Sequence, residues 1–135
     1  MANTYATDDI ATVTVSNTVN VNTSPVVLAN VVNEYNEFLC PSNTPTTIVS
    51  YTVPSGKTLL IKSVIGWGEA DGEFLLYVDG VLKGGGRTSA AERTKNLLYA
   101  YGPVVATAGQ VVTVKAEQNE LATETMRANL MGELI

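Results

Sequence analysis

The chain contains no histidine and a single cysteine, Cys40, in 135 residues. Without histidine, neither a Ser-His-Asp nor a Cys-His nucleophilic arrangement can be built. One cysteine excludes an intrachain disulfide and any cysteine-rich metal cage. As a lone nucleophile Cys40 would need a base or a cation nearby. The first Lys or Arg anywhere in the sequence is Lys57. A small buried or loop thiol is the expectation. Aromatics make up 7% and charged residues 16%, against 45% hydrophobic residues. That balance describes a folded globular chain. Its length suits one domain with a core of its own. The net charge of −5 argues against general nucleic-acid affinity. No uncharged run is long and apolar enough to span a bilayer. Residues 1–9 lack a basic and apolar leader pattern, so no signal peptide is expected. Folding in a cytoplasm follows as the expectation.

Basic charge is absent from the first 56 residues, which hold only Asp8, Asp9, Glu34 and Glu37 as charged side chains. Residues 1–46 are rich in Asn, Thr and Val, with eight of each. Val13 and Val15, then Val19 and Val21, alternate with polar residues at the period of a half-buried strand. These residues are taken as an extended N-terminal arm, 1–46, with one or two strands, ending at the Pro41 to Pro45 punctuation. Val27, Val31 and Glu34 also fall at helical spacing, but β-branching argues against a helix over 26–37.

From residue 47 to 135 the pattern is that of a β-sandwich or jelly roll, about eight strands in all. Thr47–Val53 is β-branched. Pro54-Ser55-Gly56 is a turn. Lys57–Trp67 forms a strand long enough to need a bulge. Asp79-Gly80 between Glu73–Val78 and Val81–Lys83 is a hairpin signal. The run Gly84-Gly85-Gly86 is expected to open a loop reaching about Arg93. Asn96–Tyr101 and Val104–Ala106 follow as strands. Gln110–Glu117 places Val112, Val114 and Ala116 on one side. In Met126–Leu134, Ala128, Leu130, Gly132 and Leu134 alternate against Arg127, Asn129, Met131 and Glu133. Turn residues every eight to twelve positions, with no long amphipathic helix between strands, favour an all-β sandwich over a parallel α/β fold.

Four groupings bear on function. Glu69, Asp71 and Glu73 are the densest acids; their spacing is not that of a calcium loop, and a solvated turn is expected. Lys83, Arg87, Arg93 and Lys95 surround one acid, Glu92, and suit contact with an acidic surface. Trp67, Tyr77, Tyr99 and Tyr101 are candidates for a sugar-stacking platform or for core positions. Val13, Val15, Val19 and Val21 suit strand addition to the sheet edge of another subunit. No catalytic site, metal or cofactor is expected.

Three stretches share a style. They are Tyr51-Thr52-Val53-Pro54-Ser55-Gly56-Lys57-Thr58-Leu59-Leu60-Ile61, the run from Gly72 through Tyr77-Val78-Asp79-Gly80 to Gly86-Arg87-Thr88, and Ala108–Lys115 with Ala128–Gly132. Over residues 46–134 the chain resembles small virion structural proteins of tailed bacteriophages. The resemblance implies a particle component with no catalytic residues. A capsid decoration protein on the assembled shell leads. Its partners would be the major capsid protein or another virion protein and further copies of itself, as in a trimer. A neck, tail or head-fibre piece, or a receptor- or carbohydrate-binding module, is the alternative.

Overall fold

The computed structural model describes residues 30–98 and 104–135. Nine strands lie in these residues: β1 (Val31–Cys40), β2 (Thr46–Thr52), β3 (Thr58–Gly68), β4 (Gly72–Val78), β5 (Val81–Arg87), β6 (Thr94–Asn96), β7 (Val104–Thr107), β8 (Val111–Gln118) and β9 (Glu124–Leu134). They form two sheets. The first runs β1-β9-β3-β6, with β7 also pairing β3; the second runs β2-β8-β4-β5. Every strand pairing is antiparallel. The chain is an all-β sandwich.

Strict alternation builds the interior. In β4, Gly72, Phe74, Leu76 and Val78 are buried while Glu73, Leu75 and Tyr77 are half-buried on the outer face. In β8, Val112, Val114, Ala116 and Gln118 point inward. Phe74 is fully buried, and its ring occupies the space a side chain at Gly66 would need: a Cβ there would lie 2.5 Å from the ring. The small residue in one sheet and the large one in the other interlock, as dense sandwich cores require.

Two irregularities adjust the faces. Ile48 is skipped in the pairing of β2 with β8, so Ile48 and Val49 are consecutive and both buried. Lys62 is skipped between β3 and β9, which supplies the bulge expected in that long strand and turns Lys62 toward Glu133 at 3.7 Å. The Asp79-Gly80 hairpin has positive φ at both residues, 51° and 82°. That is the turn whose twist matches the flanking strands. Gly56 and Gly109 also take positive φ at the turns expected for them.

β-branching weighs against a helix over 26–37, and the described residues of that stretch from Val31 lie in β1, a ten-residue strand paired along its length with β9. β1 falls inside the segment 1–46 set apart by composition. Val31, Val32, Tyr35 and Phe38 are β-formers, and pairing with β9 supplies the backbone partners a helix would otherwise provide. One expectation is revised, that of the glycine run. Gly84, Gly85 and Gly86 are not a loop; they lie within β5.

One buried amide ties three segments together. The Gln118 side chain donates to the Cys40 carbonyl (2.8 Å) and the Ala122 carbonyl (3.0 Å), and accepts from the Glu120 N–H (2.7 Å). The backbone carbonyl of the same residue accepts from the Asn43 N–H at 2.7 Å. The end of β1, the end of β8 and the loop into β9 are therefore fixed at one residue. Replacing it by leucine leaves the Cys40 and Ala122 carbonyls and the Glu120 N–H without their side-chain partner, at about 1–3 kcal/mol for each that stays dry. We expect Gln118→Leu to lower unfolding free energy by about 2–4 kcal/mol in urea denaturation, the m-value staying unchanged.

Candidate interaction surfaces

The sheet orders place β1 and β2 along one side of the sandwich and β5 and β6 along the other. The second side is closed by backbone. Gly84 forms an isolated bridge with Leu98, and a Cβ at Gly84 would run into the Leu97 carbonyl. A Cβ at Gly86 would sit 2.5 Å from the Lys95 stem. Glycine persists through this strand because the opposite sheet's edge lies against it, a close approach that only a missing side chain permits.

The four basic residues picked from the sequence all lie on this side. Lys83 is the unpaired residue of a bulge, since Leu82 faces Tyr77 and Gly84 faces Leu76. Arg87 stands opposite Glu73 across β4 and β5. Behind it, Thr88 is buried: its hydroxyl accepts from the Gly72 N–H at 2.9 Å, and its own N–H donates to the Gly72 carbonyl at 2.9 Å. Ser89 and Glu92 then close a tight turn through reciprocal backbone bonds of 2.9 and 3.1 Å. Arg93 follows, exposed. Lys95 differs from the other three. Its ammonium is paired with Glu92 at 2.9 Å, and its stem is half-buried between the sheets. Lys83, Arg87 and Arg93 are exposed and have no ion pair among the described residues. Val13, Val15, Val19 and Val21 lie outside the described residues.

The opposite side carries a surface that composition did not point to. Among the described residues β1 is an edge strand, with apolar side chains exposed on both of its faces: Tyr35 at 51%, Phe38 at 51% and Leu39 at 63%. Tyr35 stacks on Trp67, ring centroids 5.9 Å apart at 29°. Beside them Arg127 bonds Glu37 at 3.0 Å and lies 3.7 Å from Glu69. The hydrogen bond to Glu37 holds the guanidinium pKa above its ordinary value. Close by, burial and the Glu34 charge both push the Tyr51 phenol up. The available signal was the strand-like mix of Val, Tyr, Phe and Leu in 31–39, apolar at odd and even positions alike.

The remaining candidates are dispersed. Trp67 belongs to β3 in the first sheet, whereas Tyr77 belongs to β4 in the second, where the Lys115 ammonium lies 5.5 Å over its ring. They form no common platform, and Tyr99 and Tyr101 lie outside the described residues. Tyr77, Lys115, Leu75, Pro45, Glu73 and Glu117 line a shallow depression of about 230 Å³. Glu69 is engaged by Arg127 and the Thr125 N–H, while Glu73 faces Arg87, so the acids of 69–73 point to different partners. Among the described residues no three potential metal ligands converge. Cys40 is fully buried, and burial pushes its thiol pKa up, as suits an inert packing residue.

No protein-family description and no curated protein sequence matches the chain. Among solved structures it is similar to part of the insecticidal delta-endotoxin Cry8Ea1 from Bacillus thuringiensis, with a TM-score of 0.47 and 9% identity over 73% of this chain. It spans 19% of the toxin's length. It is also similar to a chain of the acidic stable capsid structure of Helicobacter pylori bacteriophage KHP30, with a TM-score of 0.48 and 12% identity, covering 78% of this chain and 91% of that one. Both likenesses concern the course of the backbone and assign no role.

The closed side depends on Gly84. We expect Gly84→Val to cost at least about 2 kcal/mol, because the valine has no room beside Leu97. Ala90→Val, in the exposed loop of the same side, should change stability by less than about 0.5 kcal/mol. Paired thermal melts of the two variants measure the difference.

Proposed function

We propose that this protein is a non-enzymatic structural component of a bacteriophage virion, binding the outside of the assembled shell and holding neighbouring capsid subunits together. The observation that carries the reading is the long β1 edge with Tyr35, Phe38 and Leu39 half or more exposed. Free apolar strand edges are normally blunted or covered, so this one is a protein-contact surface. The strand orders β1-β9-β3-β6 and β2-β8-β4-β5 support it as well. They fit the jelly roll we infer, an arrangement used by shell proteins and by lectin domains alike. The resemblance over residues 46–134 narrows this to a virion part.

In this reading the protein works as a homo-oligomer, and a trimer would match a threefold position on a shell. Lys83, Arg87 and Arg93 meet an acidic surface of a neighbouring virion protein: the major capsid protein, another component or a further copy of this chain. The arm ahead of β1 reaches a neighbouring subunit, where Val13, Val15, Val19 and Val21 add a strand to its sheet. Many modest contacts of about 800 Å² per partner, repeated over a shell, give a stable coat. The stacked pair of exposed Tyr35 and half-buried Trp67 favours a second reading, a carbohydrate-binding module at a fibre, since aromatic faces accept sugar rings.

The test mixes purified protein with empty shells and measures occupancy and shell melting. Wild-type protein should saturate the shell and raise its melting temperature. Arg87→Glu with Arg93→Glu should weaken binding about tenfold, with a larger loss at low salt than at high salt. Binding confined to a tail or neck vertex, or to cell-surface glycan on an array, would replace this reading with the second.

A further inference from the structure

The charges of the sandwich are sorted between its two sides. β1, β9 and the loop joining β8 to β9 carry Glu34, Glu37, Glu120, Glu124 and Glu133 against one base, Arg127. β5, β6 and the segment between them carry Lys83, Arg87, Arg93 and Lys95 against one acid, Glu92. Apolar surface accompanies both. Tyr35, Phe38 and Leu39 are exposed on the acidic side, and Val81 (58%) and Leu82 (50%) on the basic side.

This sorting selects a contact geometry. A two-fold contact apposes a patch to itself. Formed through the acidic side it would bring Glu34, Glu37, Glu120 and Glu124 close to their counterparts, while Arg127 is already engaged by Glu37 and Lys62 by Glu133. Formed through the basic side it would crowd Lys83, Arg87 and Arg93 together. Apposing one side to the other answers both sets of charges, and it sets the guanidinium groups of Arg87 and Arg93 against the aromatic rings of β1, where cations are attracted to ring faces. We propose that copies of this chain associate head to tail, the β5–β6 side of one copy packing on the β1 side of the next. A repeated contact of this kind gives a finite oligomer when it closes into a ring. The inference specifies the self-association in the proposed function and turns Lys83, Arg87 and Arg93 toward the neighbouring copy, so their effect on shell occupancy follows from loss of the oligomer.

The test uses the full chain in analytical ultracentrifugation. Wild-type protein should form a discrete oligomer that loosens as salt is raised, because the contact is between exposed charges. Glu34→Lys should weaken association at least about tenfold, and so should Lys83→Glu with Arg87→Glu. The chain carrying all three substitutions faces lysine with glutamate at every contact, and its association should return to within about threefold of wild type. All three positions are exposed, and circular dichroism melts check that each variant folds. As a second measurement, a Phe38→Cys chain mixed with a Leu82→Cys chain should crosslink under mild oxidation, with neither crosslinking alone. A monomeric wild type, a symmetric dimer, a triple variant no stronger than its parents, or self-crosslinking of either cysteine variant would overturn the proposal. A monomer that still coats shells would overturn this inference and leave the proposed function standing. A discrete oligomer that ignores shells would do the reverse.

Discussion

The two sheets meet along one side because two glycines, Gly84 and Gly86, allow it. At Gly84 the opposite backbone approaches so closely that no side chain fits, and at Gly86 the Lys95 stem fills the space. The basic residues inherit their positions from this closure. Lys83 is extruded by the bulge before Gly84, and Arg87 continues the strand beyond Gly86. Lys95 enters between the sheets far enough to have its ammonium taken by Glu92. The basic side chains thus stand on a strand held by backbone contact, and Arg93 follows a short turn anchored by buried Thr88. A rigid base of this kind lowers the ordering cost of a contact made through it.

The other side is built differently. Between β1 and β2 the recorded link is a side chain: the Asn36 amide donates to the Ile48 carbonyl at 2.9 Å. That carbonyl belongs to the residue skipped in the β2–β8 pairing. At the end of β1, Gln118 holds the Cys40 carbonyl. Amides therefore tether this side at two points, while the outer edge of β1 keeps its apolar side chains in water. Asn129, between Tyr35 and Ile65 in the sheet, adds a buried amide oxygen with no partner. The first sheet accepts polar irregularity and apolar exposure together around β1, which is uncommon for a surface meant only to face solvent.

What was legible in the sequence was local. The Asp79-Gly80 hairpin, the turns at Gly56 and Gly109, and the alternation through β8 and β9 depend on a few adjacent residues, and the structure has them where expected. The glycine run reads as a loop in sequence because loop and strand glycines look alike until a distant neighbour is known; for Gly84 that neighbour is Leu97, thirteen residues on. β1 is half legible: β-branching speaks against a helix over 26–37, but the partner that makes it a strand is β9, about ninety residues later. The same division holds for the candidate surface. Four basic residues near one another in sequence do share one side of the sandwich, but the pairing that removes Lys95 from the exposed set depends on the turn at Ser89–Glu92. The aromatic edge of β1 carried no compositional flag because its members are ordinary core residues that the fold happens to leave outside.

Net charge and charge placement pull in opposite directions. At −5, two copies repel at long range and remain soluble. At physiological ionic strength, however, a charge is felt over only about 8 Å. The sides of the first sheet are separated by three strand spacings, each about 4.8 Å, so they lie roughly 14 Å apart. Each side therefore presents its own sign to a neighbour, and the total matters little once surfaces are close. In the head-to-tail contact we propose, the orientation that joins basic to acidic surface would also bury the apolar residues of both sides, and burial is the contribution that grows with area. Electrostatics would then choose the geometry and apolar contact supply the strength, a division of labour common at protein interfaces.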